Sequence, residues 1–144
     1  MAAPALLDVN VLLALLDRDH VMNDLVTNWF DAQGTARWAT CAVTENGFVR
    51  IVSQPRYPHP LGAGEALARL RRATGDSAHQ FWPCDVSITD PASVEPSHAL
   101  TSAQVTDLYL LALAVRHGGR FVTFDRRVSP GGVPGATADH VVVL

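Results

Sequence analysis

The chain has 144 residues, 48% of them hydrophobic, with a formal net charge of -3 at pH 7; that is enough for one domain with a real core and too little for two ordinary ones. All 11 Lys+Arg residues are Arg. The absence of lysine excludes a P-loop, a pyridoxal phosphate Schiff base, and the lysine-assisted aspartyl-phosphate chemistry of receiver and haloacid-dehalogenase-like domains.

Near the N-terminus, Ala5-Leu6-Leu7-Asp8-Val9-Asn10 is an apolar run that stops at a carboxylate. This is the pattern of a buried parallel strand whose end emerges at the carboxyl edge of a sheet, where α/β proteins place their chemistry. Val9 to Leu16 continues as a short helix. Met22, Leu25, Val26, Trp29 and Phe30 then recur at helical spacing, a stripe that covers the core, with Gly34 placed to end that helix. Arg37 to Thr40 reads as a second strand, with Thr40 as N-cap of a helix from about 42 to 52. In that helix Glu45 shares its face with Phe48, Val49 and Val52, so an acid lies on an inward stripe.

Pro55 to Gly62 is an exposed loop. A fourth helix over about 64–74 turns Ala66, Leu67, Leu70 and Ala73 inward and leaves Arg69 and Arg72 outside, with Arg71 near the border, as a solvated face. His79 to Trp82 is a short edge strand stopped by Pro83. From Cys84 to Leu100 the composition supports only loops and turns. Asp107 sits early in a fifth helix, about 102–117, which is apolar on nearly every side, and Leu110, Leu111 and Ala114 share its stripe. Gly118 and Gly119 end it. Arg120 to Asp125 is a fourth strand closing on an acid, as the first does; after a Gly/Pro-rich loop, His140 to Leu144 is a last buried strand.

Cys41 and Cys84 have no ligand-like spacing and read as small buried thiols of a reducing compartment. The apolar stretch from Leu6 to Leu16 is interrupted by Asp8 and Asn10 and has no basic segment before it, so neither a leader nor a membrane segment is expected; the reading is a soluble, cytoplasmic protein.

Strands alternating with helices imply one α/β domain over residues 1–144 with a parallel sheet and helices on both faces. Helices of such a fold begin where strands end. Glu45 and Asp107, in first turns, then lie on the same edge as Asp8 and Asp125, at strand ends. Four acids with no lysine to neutralise them call for hard divalent cations, Mg²⁺ or Mn²⁺, and a metal-dependent phosphodiesterase.

On the stretches Leu6-Leu7-Asp8-Val9-Asn10, Thr44-Glu45-Asn46-Gly47-Phe48-Val49-Arg50, Thr106-Asp107-Leu108-Tyr109-Leu110-Leu111 and Thr123-Phe124-Asp125-Arg126-Arg127, the chain resembles the PIN-domain ribonucleases. Within them it resembles the VapC-type toxins of bacterial toxin-antitoxin pairs, from Ala5 to about Val128. His20 and Trp29 also match the family pattern. The resemblance implies a five-stranded sheet of order 3-2-1-4-5, and Asp8, Glu45, Asp107 and Asp125 as metal-holding, catalytic acids. Asn10 and Thr123 are implied as polar neighbours that orient them. It further implies cleavage of an RNA substrate by a cation-activated water, a cognate VapB-type antitoxin and a homodimer. Two rivals share the acid edge. One is a flap-type DNA nuclease, which usually carries more acids and added elements; the other is a non-catalytic PIN scaffold, which four intact acids argue against.

Overall fold

The computed structural model describes residues 2–95 and 100–144. The strands are β1 (Ala5–Leu7), β2 (Trp38–Cys41), β3 (His79–Trp82), β4 (Arg120–Thr123) and β5 (Val141–Val143), and the α-helices are α1 (Val9–Leu16), α2 (Asn23–Ala32), α3 (Ala42–Val52), α4 (Ala63–Thr74) and α5 (Val105–Arg116). All strand pairs are parallel, in the order β3-β2-β1-β4-β5. That is the expected order.

Side chains of a strand alternate between faces, and the sheet uses both. Leu7, Trp38 and Val122 point to one side, where they pack with Val11 and Leu12 of α1, Val26 of α2, Phe48 and Val52 of α3, and Leu70 of α4. Leu6, Ala39, Cys41 and Phe121 point to the other, against Leu108, Leu110, Leu111 and Leu113 of α5. Each fully buried Leu or Phe contributes about 1.5–3 kcal/mol relative to exposure. Burial on two faces explains why β1 is apolar without interruption.

Two glycines matter for the packing and the turns. At Gly47 a Cβ would lie 2.7 Å from a Val9 methyl, so the missing side chain lets α3 settle against α1, beside Asp8 and Glu45. Gly118, at φ +66°, turns the chain out of α5 toward β4.

Several sequence expectations need correction. Leu25 and Leu67 are exposed although their helical spacing aligns them with buried neighbours, because α2 and α4 bury narrower stripes, centred on Val26 and on Ala66 and Leu70. Arg69 is half-buried, donating to the Leu16 carbonyl at 3.3 Å and pairing with Glu65. Cys41, not Thr40, is the N-cap of α3, with Thr44 closing a capping box, because β2 extends one residue further. Cys84 is exposed while Cys41 is buried. Strand β5 is half-buried rather than buried, since it forms the sheet's edge. Of the expected 84–100 loop, residues 96–99 lie outside the described residues. Among the described residues no helix is long and apolar enough to cross a membrane.

Candidate functional site

The Asp8 N–H donates to the Val122 carbonyl at 2.9 Å, the last rung between β1 and β4. The chain then turns into α1, and Asp8 becomes its N-cap, accepting from the Val9 N–H at 2.7 Å. Its other oxygen accepts from the fully buried Thr123 hydroxyl at 2.9 Å. Burial pushes the Asp8 carboxyl up; the hydrogen bonds from Thr123 and Val9 oppose this, and repulsion from Asp125 adds to it.

Asp107, in the first turn of α5, is half-buried. Its carboxyl is pushed up to about 6, first by burial and then by the charges of Asp8 and Asp125. Asp125 follows β4, where its N–H donates to the Thr123 hydroxyl oxygen at 3.0 Å. Arg127 grips it with two parallel bonds, Nε to Oδ1 at 3.0 Å and Nη2 to Oδ2 at 2.9 Å, while the Arg127 N–H donates to Oδ1 at 2.9 Å. These bonds hold the Asp125 carboxyl down at about 2. Asp107 and Asp125 are within hydrogen-bond reach, so a protonated Asp107 donates to its neighbour. The structure thus brings together Asp8, Asp107, Asp125 and Thr123. Beside Asp107 and Asp125 a small cleft opens, lined also by Gln104, Leu108, Arg127 and Ser129.

Glu45 lies on the same edge, in the first turn of α3, but is held differently. Its Oε1 accepts from the fully buried Thr40 hydroxyl at 2.7 Å, and that hydroxyl also meets His79 Nε2 at 2.8 Å. Among the described residues Glu45 makes no hydrogen bond to the three aspartates. His79 packs edge-on to Trp38, with ring centroids 4.6 Å apart. Burial lowers its imidazole below the ordinary value, against the pull of Glu45 and Asp76. Asn10 is exposed on α1 and makes no side-chain hydrogen bond among the described residues.

This donor set is carboxylate oxygen throughout, which suits a hard divalent cation and offers nothing to a soft one. Two acids raised by burial and by neighbouring carboxylates are an excess of negative charge that such an ion would relieve. Among the described residues no three acids, histidines or cysteines stand as a ready-made cage. Arg127 occupies both oxygens of Asp125, so that side chain turns before it takes part, whereas Thr40 engages only one oxygen of Glu45 and holds it in place.

Thr40, His79 and the grip of Arg127 on Asp125 escaped the sequence reading. A hydroxyl among apolar residues at a buried strand end, five positions before an inward acid, was the available signal for Thr40: such a group needs a polar partner. Nothing in the sequence pointed from His79 to Thr40, since the contact spans two strands.

Residues 5–129 match the model of the PIN domain family. Ribonuclease VapC44 of Mycobacterium tuberculosis is 54% identical over 140 residues, covering 97% of this chain and 99% of the relative. Ribonuclease VapC38 of the same organism is 41% identical over 125 residues, 86% of each chain. Among solved structures, Mycobacterium tuberculosis VapC20, a Sarcin-Ricin loop cleaving toxin, superposes with a TM-score of 0.61 at 10% identity over 92% of this chain and 98% of that chain. VapBC2 from Rickettsia felis, bound to a DNA fragment from its promoter, superposes with a TM-score of 0.59 at 12% identity, over 85% and 88%. At such identities these two likenesses concern the fold.

Proposed function

The chain belongs to the PIN-domain family and, within it, to the VapC-type toxin ribonucleases, and from that premise we propose that it is an endoribonuclease whose cleavage of RNA depends on Mg²⁺ or Mn²⁺ held at the carboxyl edge of the sheet. The observation that carries this reading is that Asp8 and Asp125 both bond to buried Thr123 while their charges bear on Asp107, with two of the three carboxyls raised. Asp8, Asp107, Asp125 and Glu45 would hold the ion. When bound, a divalent cation supplies neutralisation of the phosphodiester oxygens and a more acidic attacking water.

The protein's own groups do the rest. Thr123 fixes the Asp8 carboxylate by one oxygen, and the Val9 N–H fixes the other, so this acid meets its ligand with little freedom left to lose. Arg127 supplies a positive group next to the acids that can meet a backbone phosphate once it leaves Asp125. The reading extends to a VapB-type antitoxin as partner, supported by the VapC-type relatives, to a homodimer and to a cytoplasmic location. RNA rather than DNA is favoured over a flap-type nuclease by the ribonuclease relatives, which match almost the whole chain.

The test is cleavage of RNA and DNA oligomers by purified protein with Mn²⁺, with Mg²⁺ and with chelator, beside Asp8→Asn. RNA cut only with the cations, and not by the variant, is the expected result. Cleavage that persists in chelator, or an Asp8→Asn protein as active as wild type, would overturn the proposal.

A further inference from the structure

Among the described residues three threonines are fully buried, Thr40, Thr44 and Thr123. Thr44 closes the cap of α3. The other two stand near the ends of β2 and β4, the strands on either side of β1, and each gives its hydroxyl proton to an acid of the edge: Thr123 to Asp8 at 2.9 Å, Thr40 to Glu45 at 2.7 Å. A hydroxyl has a single proton. Having given it to Glu45, Thr40 must accept at its second contact, so His79 Nε2, 2.8 Å away, carries a hydrogen and donates it. The polarity of the chain is therefore fixed, from His79 through Thr40 to Glu45. His79 is held for this by its edge-on contact with Trp38, whose indole N–H is itself anchored on Asp76 at 3.2 Å.

Resting on the metal-dependent reading above, we infer that Thr40 and His79 are positioning residues for Glu45: a relay from β3 through the buried hydroxyl of β2 that sets the orientation of the one site acid contributed by α3. Among the described residues no buried side-chain nitrogen or oxygen lacks a partner, and the hydroxyl of Thr40, the fully buried member, is engaged on both sides. Groups of this kind orient metal-binding side chains, and their loss typically lowers metal affinity or activity by roughly 10- to 100-fold.

Calorimetric titration with Mn²⁺, in parallel with kcat and KM for an RNA oligomer, tests the inference. Thr40→Val keeps the shape and removes the hydroxyl; it should weaken Mn²⁺ binding and lower kcat by about 10-fold or more with KM little changed. Thr40→Ser should restore both. His79→Gln, whose amide N–H can donate in place of the ring, should stay close to wild type, while His79→Leu should not. In a Glu45→Gln background Thr40→Val should add little, because the relay acts through Glu45. Should Thr40→Val fail to fold, the His79→Gln and His79→Leu pair decides the matter by the same two measurements. Mn²⁺ affinity and kcat unchanged in Thr40→Val or in His79→Leu, or losses that add fully to that of Glu45→Gln, would reduce the relay to a structural role. Wild-type protein that takes up no Mn²⁺ would defeat the metal reading itself, and the inference with it.

Discussion

The carboxyl edge of this sheet has two halves, and their acids live under different electrostatic conditions. On the β1–β4–α5 half, Asp8, Asp107 and Asp125 crowd together; burial and mutual repulsion raise two of them, and the third escapes only because Arg127 neutralises it. On the β2–α3 half, Glu45 stands apart from the crowd and is held by a neutral, buried hydroxyl. On the proposed reading, the first half stores the charge that a cation would relieve, and the second would store orientation. A site made this way would stay destabilised until its ligand arrived and would be partly organised beforehand.

The comparison is broken most readily by activity. Asp8→Asn and Glu45→Gln should each lower RNA cleavage by about 100-fold or more, the scale of losing a group that stabilises charge in a transition state. Single-turnover rates on an RNA oligomer measure this; a Glu45→Gln protein with wild-type rates would remove the β2–α3 half from the site. Next in size is Thr123→Val, which leaves the buried Asp8 carboxylate short of a donor and should cost about 1–3 kcal/mol of stability, read from urea unfolding. A loss within error would show that Asp8 is solvated rather than held.

The pH dependence of the metal-free protein sharpens the contrast further. With its folded value near 6 against an ordinary 3.8, Asp107 binds its proton more tightly in the folded state, so stability is highest below the unfolded value and falls as pH rises through 3.8 to about 6. Discounted for the solvent that reaches a half-buried group, the loss is about 1 kcal/mol. Unfolding in chelator across this range should show the decline in wild type and a smaller one in Asp107→Asn, where only the raised Asp8 still contributes; a stability that rises through the window would reverse the sign assigned to this acid. The smallest effect belongs to Arg127→Ala. Released from its ion pair, the Asp125 carboxyl should titrate well above about 2, and the stability that wild type loses as pH falls from the ordinary carboxylate value toward 2 should shrink. Carboxyl NMR titration reads this directly. An unmoved Asp125 would mean that the guanidinium contact is not what holds it down.

Much of this architecture is legible in the residues themselves. The apolar run stopped by Asp8 and the glycine-ended α5 locate β1, α5 and the turn between α5 and β4. Because helices of a parallel sheet start where strands end, the edge shared by the four acids follows from order alone. What could not be read lies between strands. The meeting of His79 with Thr40 depends on the register of β2 against β3, and the grip of Arg127 on Asp125 on a rotamer just past β4. Leu25 and Leu67 show the complementary limit: helical spacing says which residues share a face, and the width of what packs against that face decides which of them are buried.

The central claim, that crowded acids on this edge await a divalent cation, is tested most directly by the Mn²⁺-induced change in melting temperature of wild type and Asp107→Asn, each against its own chelator baseline. A ligand at 100 times its Kd stabilises by about 2.7 kcal/mol, so wild type should melt several degrees higher with Mn²⁺. Asp107→Asn should match or exceed wild type in chelator and gain far less from the metal. A variant that melts well below wild type in chelator and shows the same Mn²⁺ shift would contradict the account, making Asp107 a structural acid of α5 and placing the cation elsewhere.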